Sequence, residues 1–279
     1  MTAALPAPPA GRDLLAGKVV VVTAAAGTGI GSAVVRRCLA EGAQVAISDA
    51  HERRLAAAHG ELAHEFGARV WSQGCDVTNE EQVGALIDGA VRHFGRIDVM
   101  VNNAGLGGTT RLVDADVDQM TSLIALNVTA LTRLTYAIVP EFVARGTGTI
   151  INIASVVAIS PETLNGVYGG SKAFVLAFSQ NLRAELQGTG VRLQVVLPGA
   201  TATDFWAIAG RPVEDLPSEI VMSGEDLVDS ALVGLDRGEF ASIPSLQDGT
   251  LYDAYETARV AMQDKLSTAT PAPRYRLAA

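Results

Sequence analysis

Short apolar runs alternate with longer amphipathic stretches along the whole chain, and this alternation predicts strands and helices in turn. The short runs are rich in Val and Ile and almost wholly apolar, which is typical of strands covered on both faces. Strands are predicted at 18–23, 44–48, 69–72, 99–102, 149–153 and 192–197, with a weaker one at 241–243. Helices are predicted at 30–41, 80–94, 121–144 and 171–187, and Pro140 is expected to bend the third or mark its last turns.

This repetition of strand and helix predicts an α/β fold. We expect a Rossmann-type doubly wound parallel sheet of about seven strands with helices on both faces, because parallel strands are joined by right-handed crossover connections. No break in composition suggests a linker before Asp204. The expected organisation is a flexible tail at 1–14, a single domain at 15–279 and, within it, a looser substrate-facing lid at about 203–222.

Charge and cysteine content argue against several classes of function. The net charge of −9 disfavours a nucleic-acid partner, which needs a basic face. No apolar run reaches the ~18 residues that span a bilayer, and residues 1–9 show no secretion signal, so a cytoplasmic protein without a membrane partner is expected. Cys38 and Cys75 lack metal-ligand spacing and are expected to be buried, reduced thiols. No histidine stands at ligand spacing from a carboxylate, so surface histidines and no metal site are expected.

A turn of small residues follows the first predicted strand and leads into a helix. The run Val19–Val22 enters Thr23-Ala24-Ala25-Ala26-Gly27-Thr28-Gly29-Ile30-Gly31. Small residues let the backbone approach a pyrophosphate, and the helix N-terminus supplies N–H donors. The same turn also suits an ordinary strand–helix junction. The strand before it and the helix after it favour dinucleotide binding.

The second predicted strand ends at Asp49, where a carboxylate can accept hydrogen bonds from the ribose hydroxyls of NAD. The same carboxylate would repel the 2′-phosphate of NADP. Arg53 and Arg54 follow nearby and can in principle reach such a phosphate, although the solvated face of the next helix is their ordinary place. The sequence therefore predicts NAD as the cofactor, with NADP less favoured.

Four polar residues form a candidate proton-transfer group: Tyr168 and Lys172 within Tyr-Gly-Gly-Ser-Lys, Ser155 upstream and Asn127 before it. A lysine at i+4 lies on the same helix face as the tyrosine and favours its phenolate. The serine hydroxyl can hold a substrate oxygen whose charge changes during reaction. Each residue also has a plainer interpretation: a chance helix face for the Tyr–Lys pair, a loop cap for Ser155, and a buried amide satisfied by backbone for Asn127.

Taken together, these motifs resemble the short-chain dehydrogenase/reductase family in its compact one-domain branch, over about residues 18–203. The glycine turn and Asp49 match the cofactor half, and Asn102-Asn103-Ala104-Gly105 matches the family's Asn-Asn-Ala-Gly segment. Ser155, Tyr168 and Lys172 match its catalytic residues. Asp76-Val77 resembles its adenine-contacting pair, and 198–203 its loop over the nicotinamide carboxamide.

The resemblance implies a defined set of site residues. Catalysis is assigned to Asn127, Ser155, Tyr168 and Lys172. Cofactor binding is assigned to Ala25, Thr28, Gly29, Ile30, Asp49, Asp76, Val77, Asn103, Ala104, Gly105, Tyr168, Lys172, Pro198, Gly199, Thr201 and Thr203. The chain departs from the pattern in its glycine turn, which is one residue longer than usual and has Ala24 and Ala25 where a glycine is expected. Because alanine disfavours a positive φ, the loop is expected to bulge within 25–28.

By the same resemblance, NAD carries the hydride and the protein manages the proton. Tyr168 is expected to exchange a proton with the substrate oxygen, and Ser155 to hydrogen-bond that oxygen. Lys172 is expected to lower the pKa of Tyr168 and to hold the nicotinamide ribose. Asn127 is expected to open a helix locally and position a water between Lys172 and solvent.

The candidate substrate pocket is apolar and predicts a hydrophobic or neutral alcohol or ketone. Its predicted lining is Leu106, Gly107, Val156, Val157, Ala158, Leu164, Val167, Ala200, Phe205, Trp206 and Ile208. Phe205 and Trp206 have packing of the lid or of an interface as their plainer role. Apolar residues around the 171–187 helix, which pairs across subunits in the family, predict a homodimer or homotetramer.

Three functions fit these residues. The first is an NAD-dependent oxidoreductase that interconverts a secondary alcohol and a ketone. The second is a 3-oxoacyl thioester reductase, which would need basic residues at the pocket mouth for an acidic carrier protein. The third is an NAD(H)-sensing regulator without turnover. Such regulators usually lack the tyrosine or the lysine, and both are present here.

Overall fold

The computed structural model describes residues 14–276, so the predicted tail at 1–14 lies almost wholly outside the described residues. Seven strands of this part form one sheet, in the order β3–β2–β1–β4–β5–β6–β7, and every pair is parallel. The strands are β1 Val19–Val22, β2 Gln44–Asp49, β3 Val70–Gly74, β4 Val99–Asn102, β5 Gly148–Ile153, β6 Val191–Val196 and β7 Ala241–Ser242. The predicted Rossmann-type doubly wound α/β fold is confirmed, with each predicted strand boundary within two residues.

Helices connect the strands and cover the sheet. They are α1 Ile30–Ala40, α2 Glu52–Phe66, α3 Glu80–Phe94, α4 Val117–Ile124, α5 Leu131–Arg145, α6 Gly166–Glu185, α7 Phe205–Ile208, α8 Gly224–Arg237 and α9 Thr250–Ala261. A π-helical turn, Ala125–Ala130, joins α4 to α5. Strand order reverses direction between β1 and β4, and ligands of open α/β sheets bind in the crevice outside such a reversal, at the carboxyl ends of the strands.

Two helices differ from their predicted bounds for local reasons. The helix predicted at 121–144 begins at Val117, because the carboxylate of Asp116 accepts a hydrogen bond from the Asp118 amide and caps it. The helix predicted at 171–187 begins at Gly166, because Asn165 caps it. Apolar periodicity does not reveal these starts, since the first turn of each helix carries few apolar residues.

The core lies in layers on the two faces of the sheet. On one face, Val35 of α1 and Leu227 of α8 pack with apolar side chains of β1 and β2. An ion pair between Arg37 and Asp229, 2.7 Å long, joins the same two helices at the rim of this layer. On the other face, Leu86 of α3 and Ile138 of α5 are wholly buried. Both layers fix the strand ends that form the site described below.

The histidines and cysteines occupy the environments predicted for them. Cys38 and Cys75 are buried free thiols, and burial raises their pKa values to about 12 and about 11. Each histidine is exposed or half-buried, at positions 51, 59, 64 and 93. Such thiols are protonated at neutral pH and poor nucleophiles.

The chain divides into two compact units, one that ends at Ser245 and one that begins at Leu246. The first unit holds the whole sheet and α1 to α8. The second contains α9, and none of the α9 residues that the structure describes is buried. The single domain predicted for 15–279 stays a prediction.

One helical stretch, Val117–Arg145, is long and apolar enough to cross a membrane by length and composition alone, and an 18-residue window of it has a mean hydropathy of 1.4. This qualifies the expectation that no segment reaches that length. A core helix has the same properties, and Leu134, Ile138 and Phe142 of this stretch are buried in the layer beneath the sheet. The criterion therefore does not separate the two interpretations.

Candidate active site

Tyr168 lies in the first turn of α6, the central helix of the site. Asn165 Oδ1 accepts hydrogen bonds from the Val167 amide at 2.8 Å and the Tyr168 amide at 3.3 Å. An amide oxygen in this place satisfies donors that the first helical turn leaves without partners. The start of α6, and with it the position of the Tyr168 ring, is therefore fixed by a side chain.

Tyr168, Ser155 and Lys172 converge at the carboxyl end of β5. The side chain of Ser155 is near enough to the Tyr168 phenol to act on its pKa, which it lowers. Lys172 Nζ donates to the carbonyl oxygen of Ile153, the last residue of β5, at 2.9 Å. The three side chains are buried, with exposures of 5%, 8% and 6% for Tyr168, Ser155 and Lys172. The sheet thus brings together the three residues that the sequence assigned to proton transfer.

Burial dominates the acid–base properties of this group. Desolvation raises the pKa of Tyr168 to about 12, against a smaller lowering effect of the Ser155 hydrogen bond. Desolvation also lowers the pKa of Lys172 to about 8. In the protein alone the Tyr168 pKa is set by burial and Ser155. The expectation that Lys172, together with the oxidised nicotinamide, lowers this pKa stays a prediction. For the Tyr168 phenol to act as a base, further positive charge beside it must lower its pKa.

Asn127 lies in the π-helical turn, so a helix is locally opened here, as the resemblance implied. Its Nδ2 donates to the Leu106 carbonyl and to Ser171 Oγ, both at 2.9 Å, and its Oδ1 accepts from the Leu106 amide at 2.9 Å. The plainer interpretation, an amide satisfied by backbone, therefore describes most of its contacts. The same bonds fix the loop after β4, because Leu106 is held at both its N–H and its C=O.

Because Gly105 has no side chain, Asn127 and Lys172 can both lie close to its backbone. A Cβ on this glycine would lie 3.2 Å from Asn127 Oδ1 and 3.3 Å from Lys172 Nζ. These two polar atoms therefore face the same point of the backbone. A side chain at this position would have to displace one of them.

In the small-residue turn after β1, one alanine adopts the left-handed backbone conformation that alanine normally disfavours. Ala24 has φ of 51°, and among the described residues no other non-glycine has a positive φ. Asn103 Nδ2 holds this conformation by donating to the carbonyls of Thr23 and Ala24 at 2.9 and 3.0 Å. A Cβ on Gly31 would lie 2.5 Å from the Ala24 carbonyl oxygen. Only glycine permits this approach between the turn and α1.

The turn has the features that a dinucleotide requires. None of the side chains that the structure describes caps the N-terminus of α1 at Gly29, so its N–H groups are available to an anion. Asp49 Oδ2 accepts from the Ala26 amide at 3.2 Å, and Asp49 Oδ1 accepts from the His51 amide at 2.9 Å. The carboxylate is thereby held at the end of β2, on the edge of the turn. A nicotinamide dinucleotide fits these residues.

Comparisons with known proteins agree with this geometry. A family model described as short chain dehydrogenase matches residues 18–211. This chain belongs to the short-chain dehydrogenase family. It is therefore an oxidoreductase with an NAD(P)-binding Rossmann fold.

Similar members of the family differ in what their names report. The (5R,7aS)-5-hydroxy-7a-methyl-1-oxo-2,3,5,6,7,7a-hexahydro-1H-indene-carboxyl-CoA reductase of Mycobacterium tuberculosis is 46% identical over 70% of this chain and 75% of its own length. A short-chain dehydrogenase from Sphingobium yanoikuyae in complex with NADPH superposes with a TM-score of 0.86 at 39% identity, over 93% of this chain and all of the other. A bulky-bulky ketone specific alcohol dehydrogenase from Comamonas testosteroni gives 0.81 at 31% identity, over 92% and 98% of the two chains.

In this short-chain dehydrogenase, the remaining predicted cofactor residues lie around the same crevice. Ala104 donates its amide to Thr23 Oγ1 at 3.0 Å. Asp76 is exposed and accepts from Thr78, whereas the Val77 side chain is buried in the layer with α3. The residues Ala25, Thr28 and Ile30 belong to the turn or the start of α1.

The loop 198–203 lies between the catalytic group and the turn. The Pro198 carbonyl accepts from the Val156 amide at 2.9 Å and from Ser155 Oγ at 3.4 Å. A Cβ on Gly199 would lie 2.9 Å from Ser245 Oγ, so Gly199 is closely packed. Thr201 is buried, and Thr203 packs over Gly29, with 3.6 Å between its side chain and a Cβ placed on that glycine. This loop therefore reaches the N-terminus of α1.

The predicted pocket is only partly assembled in the dehydrogenase. One apolar cluster combines Tyr168 with the side chains of Leu106, Val157, Leu164, Val167 and Phe205. Val156 and Ala158 pack instead in a separate cluster with Leu131 and Val175. Trp206 is buried, and Ile208 is 62% exposed, so the structure places Ile208 on the outside of the protein. Because an α-helix has 3.6 residues per turn, Trp206 and Ile208, two positions apart on α7, face opposite sides of the helix.

Asn165 is the positioning residue that the sequence reasoning missed. Besides capping α6, its Nδ2 donates to the Thr110 carbonyl at 2.6 Å and its amide donates to the Gly108 carbonyl at 3.3 Å. It thereby joins the helix that carries Tyr168 to the loop after β4. An Asn just before a helix is a known cap signal, but it went unseen because the helix was predicted to start at 171.

Proposed function

We propose that this protein interconverts a secondary alcohol and a ketone with a nicotinamide cofactor, and that Tyr168 is the proton donor and acceptor. The observation that carries the proposal is the convergence of Tyr168, Ser155 and Lys172, three buried side chains at the carboxyl end of β5. A substrate oxygen that meets both hydroxyls has one group to exchange its proton and one to hold it. This is the arrangement that general acid–base catalysis requires.

Each side chain then has a distinct part in the reaction. When bound, the nicotinamide cofactor supplies or accepts the hydride. In ketone reduction, the phenol of Tyr168 gives its proton to the carbonyl oxygen, while Ser155 Oγ donates a hydrogen bond to the same oxygen. In alcohol oxidation, Tyr168 takes the proton as phenolate, and the ammonium of Lys172 stabilises that charge. Asn127 fixes the loop after β4 through Leu106, and Gly105 of that loop leaves room for Lys172 Nζ, which the Ile153 carbonyl holds.

NAD is the cofactor we propose, in preference to NADP. The support is Asp49, whose carboxylate is held at the edge of the small-residue turn by two backbone amides. It can accept hydrogen bonds from ribose hydroxyls and repels a 2′-phosphate. Arg53 and Arg54 are exposed on α2. Solved structures of similar proteins hold NADPH in one case and NADH in another, so the relatives do not decide this preference.

A hydrophobic or neutral substrate is the second part of the proposal. The cluster around Tyr168 is apolar, and the relative from Comamonas testosteroni is named for bulky ketones. A thioester substrate is the other candidate, favoured by the name of the relative from Mycobacterium tuberculosis, a reductase of a fused-ring CoA compound. Both candidates share a bulky, largely apolar group beside the reacting carbonyl.

We also propose a cytoplasmic homodimer or homotetramer, with a small-molecule substrate and no nucleic-acid or membrane partner. The acidic net charge supports the absence of a nucleic-acid partner, and the apolar residues around the 171–187 segment support the assembly. Sedimentation of the purified protein would decide the assembly.

The experiment that tests the function is turnover of a panel of secondary alcohols, ketones and CoA thioesters of ring ketones, followed at the NADH absorbance. Tyr168→Phe is expected to lower kcat by about 10²- to 10⁴-fold while leaving NADH binding, measured by fluorescence, close to wild type. Tyr136→Phe is the matched control, since Tyr136 is 72% exposed on α5. Wild-type turnover in Tyr168→Phe would contradict the mechanism, and turnover of thioesters alone would favour the second candidate.

A further inference from the structure

The ring of Phe205, the first residue of α7, lies beside the ring of Tyr168. The two ring centroids are 5.6 Å apart, and the planes are tilted by 48°. Leu106, Leu164 and Val167 surround the same space. Because a carbonyl substrate must bring its oxygen to the Tyr168 phenol, the groups on its carbonyl carbon extend into this space. Phe205 therefore occupies volume that a substrate needs.

The Phe205 ring occupies the space that a side chain at Gly107 would fill. A Cβ on Gly107 would lie 2.9 Å from Cε1 of Phe205 and closer still to Cζ and Cε2, and these three are the atoms nearest to it. The backbone does not demand glycine here, since Gly107 is not among the residues with positive φ. The packing of the Phe205 ring is what excludes a side chain at this position.

Neighbouring contacts fix the backbone of α7 but leave the ring of Phe205 free of polar anchors. Trp206 Nε1 donates to the Thr201 carbonyl at 3.0 Å, and its ring meets Phe205 edge-on at 5.5 Å. The Ala209 carbonyl accepts from Thr109 Oγ1 in the loop that carries Gly107. The Phe205 side chain is apolar, so rotation about its own side-chain bonds breaks no hydrogen bond. The ring can leave its place while the helix stays.

We propose that Phe205 determines which groups the substrate can carry on its carbonyl carbon. Its ring fills the space next to the Gly107 backbone, called here the place over Gly107. A ketone with two bulky groups must displace the ring from this place and put one of its own groups there. A ketone with one small group leaves the ring where it is and packs against it. This inference rests on the proposed function as a ketone reductase and names the residue that sets its selectivity.

The test compares acetophenone with benzophenone, in which a second phenyl group replaces the methyl group. The ratio of kcat/KM for benzophenone to that for acetophenone is expected to rise about tenfold or more in Phe205→Ala, because the place over Gly107 is vacated. In the double variant Gly107→Val with Phe205→Ala, the new side chain refills that place, and the ratio is expected to return to within about threefold of wild type. Leu112→Ala, at a side chain that is 79% exposed, is the control and is expected to leave the ratio unchanged.

Two outcomes would overturn the inference. One is an unchanged ratio in Phe205→Ala, and the other is an equal rise in the single and the double variant, which would show a general loosening of the segment. NADH binding and circular dichroism establish that each variant is folded. If Phe205→Ala does not fold, Phe205→Leu carries the same expectation with a smaller rise. Absence of wild-type turnover with any ketone and either nucleotide would instead reject the proposed function.

Discussion

Asn103 Nδ2 donates to the carbonyl oxygen of Ala24 at 3.0 Å, and Ala24 is held at φ of 51°. An L-residue with a Cβ is strained in this region by roughly 1–2 kcal/mol. The second amide hydrogen bond, to Thr23, keeps the turn closed against that strain. The alanine at this position therefore adds backbone strain to the turn of the dinucleotide crevice, and a glycine would not.

Ala24→Gly is expected to raise the free energy of unfolding by about 0.5–1 kcal/mol. The relief of strain exceeds the larger entropy that glycine gives the unfolded chain. Urea denaturation measures the difference. Ala26→Gly, in the same turn but without positive φ, is the control and is expected to destabilise. Equal effects of the two substitutions would show that the φ of Ala24 stores no strain.

Substitutions at Asn165 separate its role as the cap of α6 from its hydrogen bond to the Thr110 carbonyl. Serine caps helices well but is too short to reach the Thr110 carbonyl, so Asn165→Ser is expected to stay within about 1 kcal/mol of wild-type stability. Its kcat is expected to fall about tenfold or more, because the loop after β4 keeps only the backbone bond from residue 165 to Gly108 and loses the side-chain bond to Thr110. Asn165→Ala loses both contacts and is expected to lose stability as well. Parallel loss of kcat and stability in both variants would assign Asn165 a purely structural role.

The buried ammonium of Lys172 predicts a dependence of stability on pH. Its pKa is lowered from 10.5 to about 8 by burial, so between these values the unfolded state binds more protons than the folded state. Stability relative to Lys172→Met is therefore expected to rise with pH from about 8 to about 10.5, by at most about 1.4 kcal/mol per pH unit. Tyr168 acts oppositely at higher pH, because its raised pKa of about 12 makes stability fall above about 10.

Denaturation of wild type and Lys172→Met across this range measures the effect. Lys265→Met, at an exposed position, is the control. A difference between wild type and Lys172→Met that stays constant from pH 8 to 10.5 would mean that the ammonium is solvated in the folded protein.

Asp49→Asn tests the proposed preference for NAD. The amide keeps an oxygen for the Ala26 amide but removes the charge that repels a 2′-phosphate. The ratio of kcat/KM for NAD to that for NADP is expected to fall about tenfold or more. Glu52→Gln, an exposed acid at the start of α2, should leave the ratio unchanged. A wild-type enzyme that already prefers NADP would reject the assignment of Asp49.

Much of the fold and of the site can be read from the sequence, because parallel strands covered on both faces leave continuous apolar runs. The strand 99–102 and the helix Glu80–Phe94 have their predicted bounds. The residues placed at strand ends by these runs, such as Ser155 and Asp49, come with them. What could not be read is the start of α6, since Gly166-Val167-Tyr168-Gly169-Gly170 has little apolar periodicity. The bond from Asn165 to Thr110 is equally hidden, because it joins residues 55 positions apart.

The acid–base state of the site was also beyond the sequence. The spacing of Tyr168 and Lys172 predicts that the ammonium lowers the pKa of the phenol. In the protein alone burial is the largest cause of both pKa shifts, and burial is a property of the assembled molecule. The conformation of Ala24 is a further example, because local preference disfavours a positive φ that Asn103, far along the chain, enforces.

Lys172 is tethered to Ile153 at the end of β5 and Ser155 to Pro198 in the loop after β6, so neither of these two hydrogen bonds involves the segment that follows Thr203. The segment that carries Phe205 can therefore be exchanged during evolution without disturbing proton transfer. One inherited reaction can be fitted to new compounds by altering a few side chains of that segment.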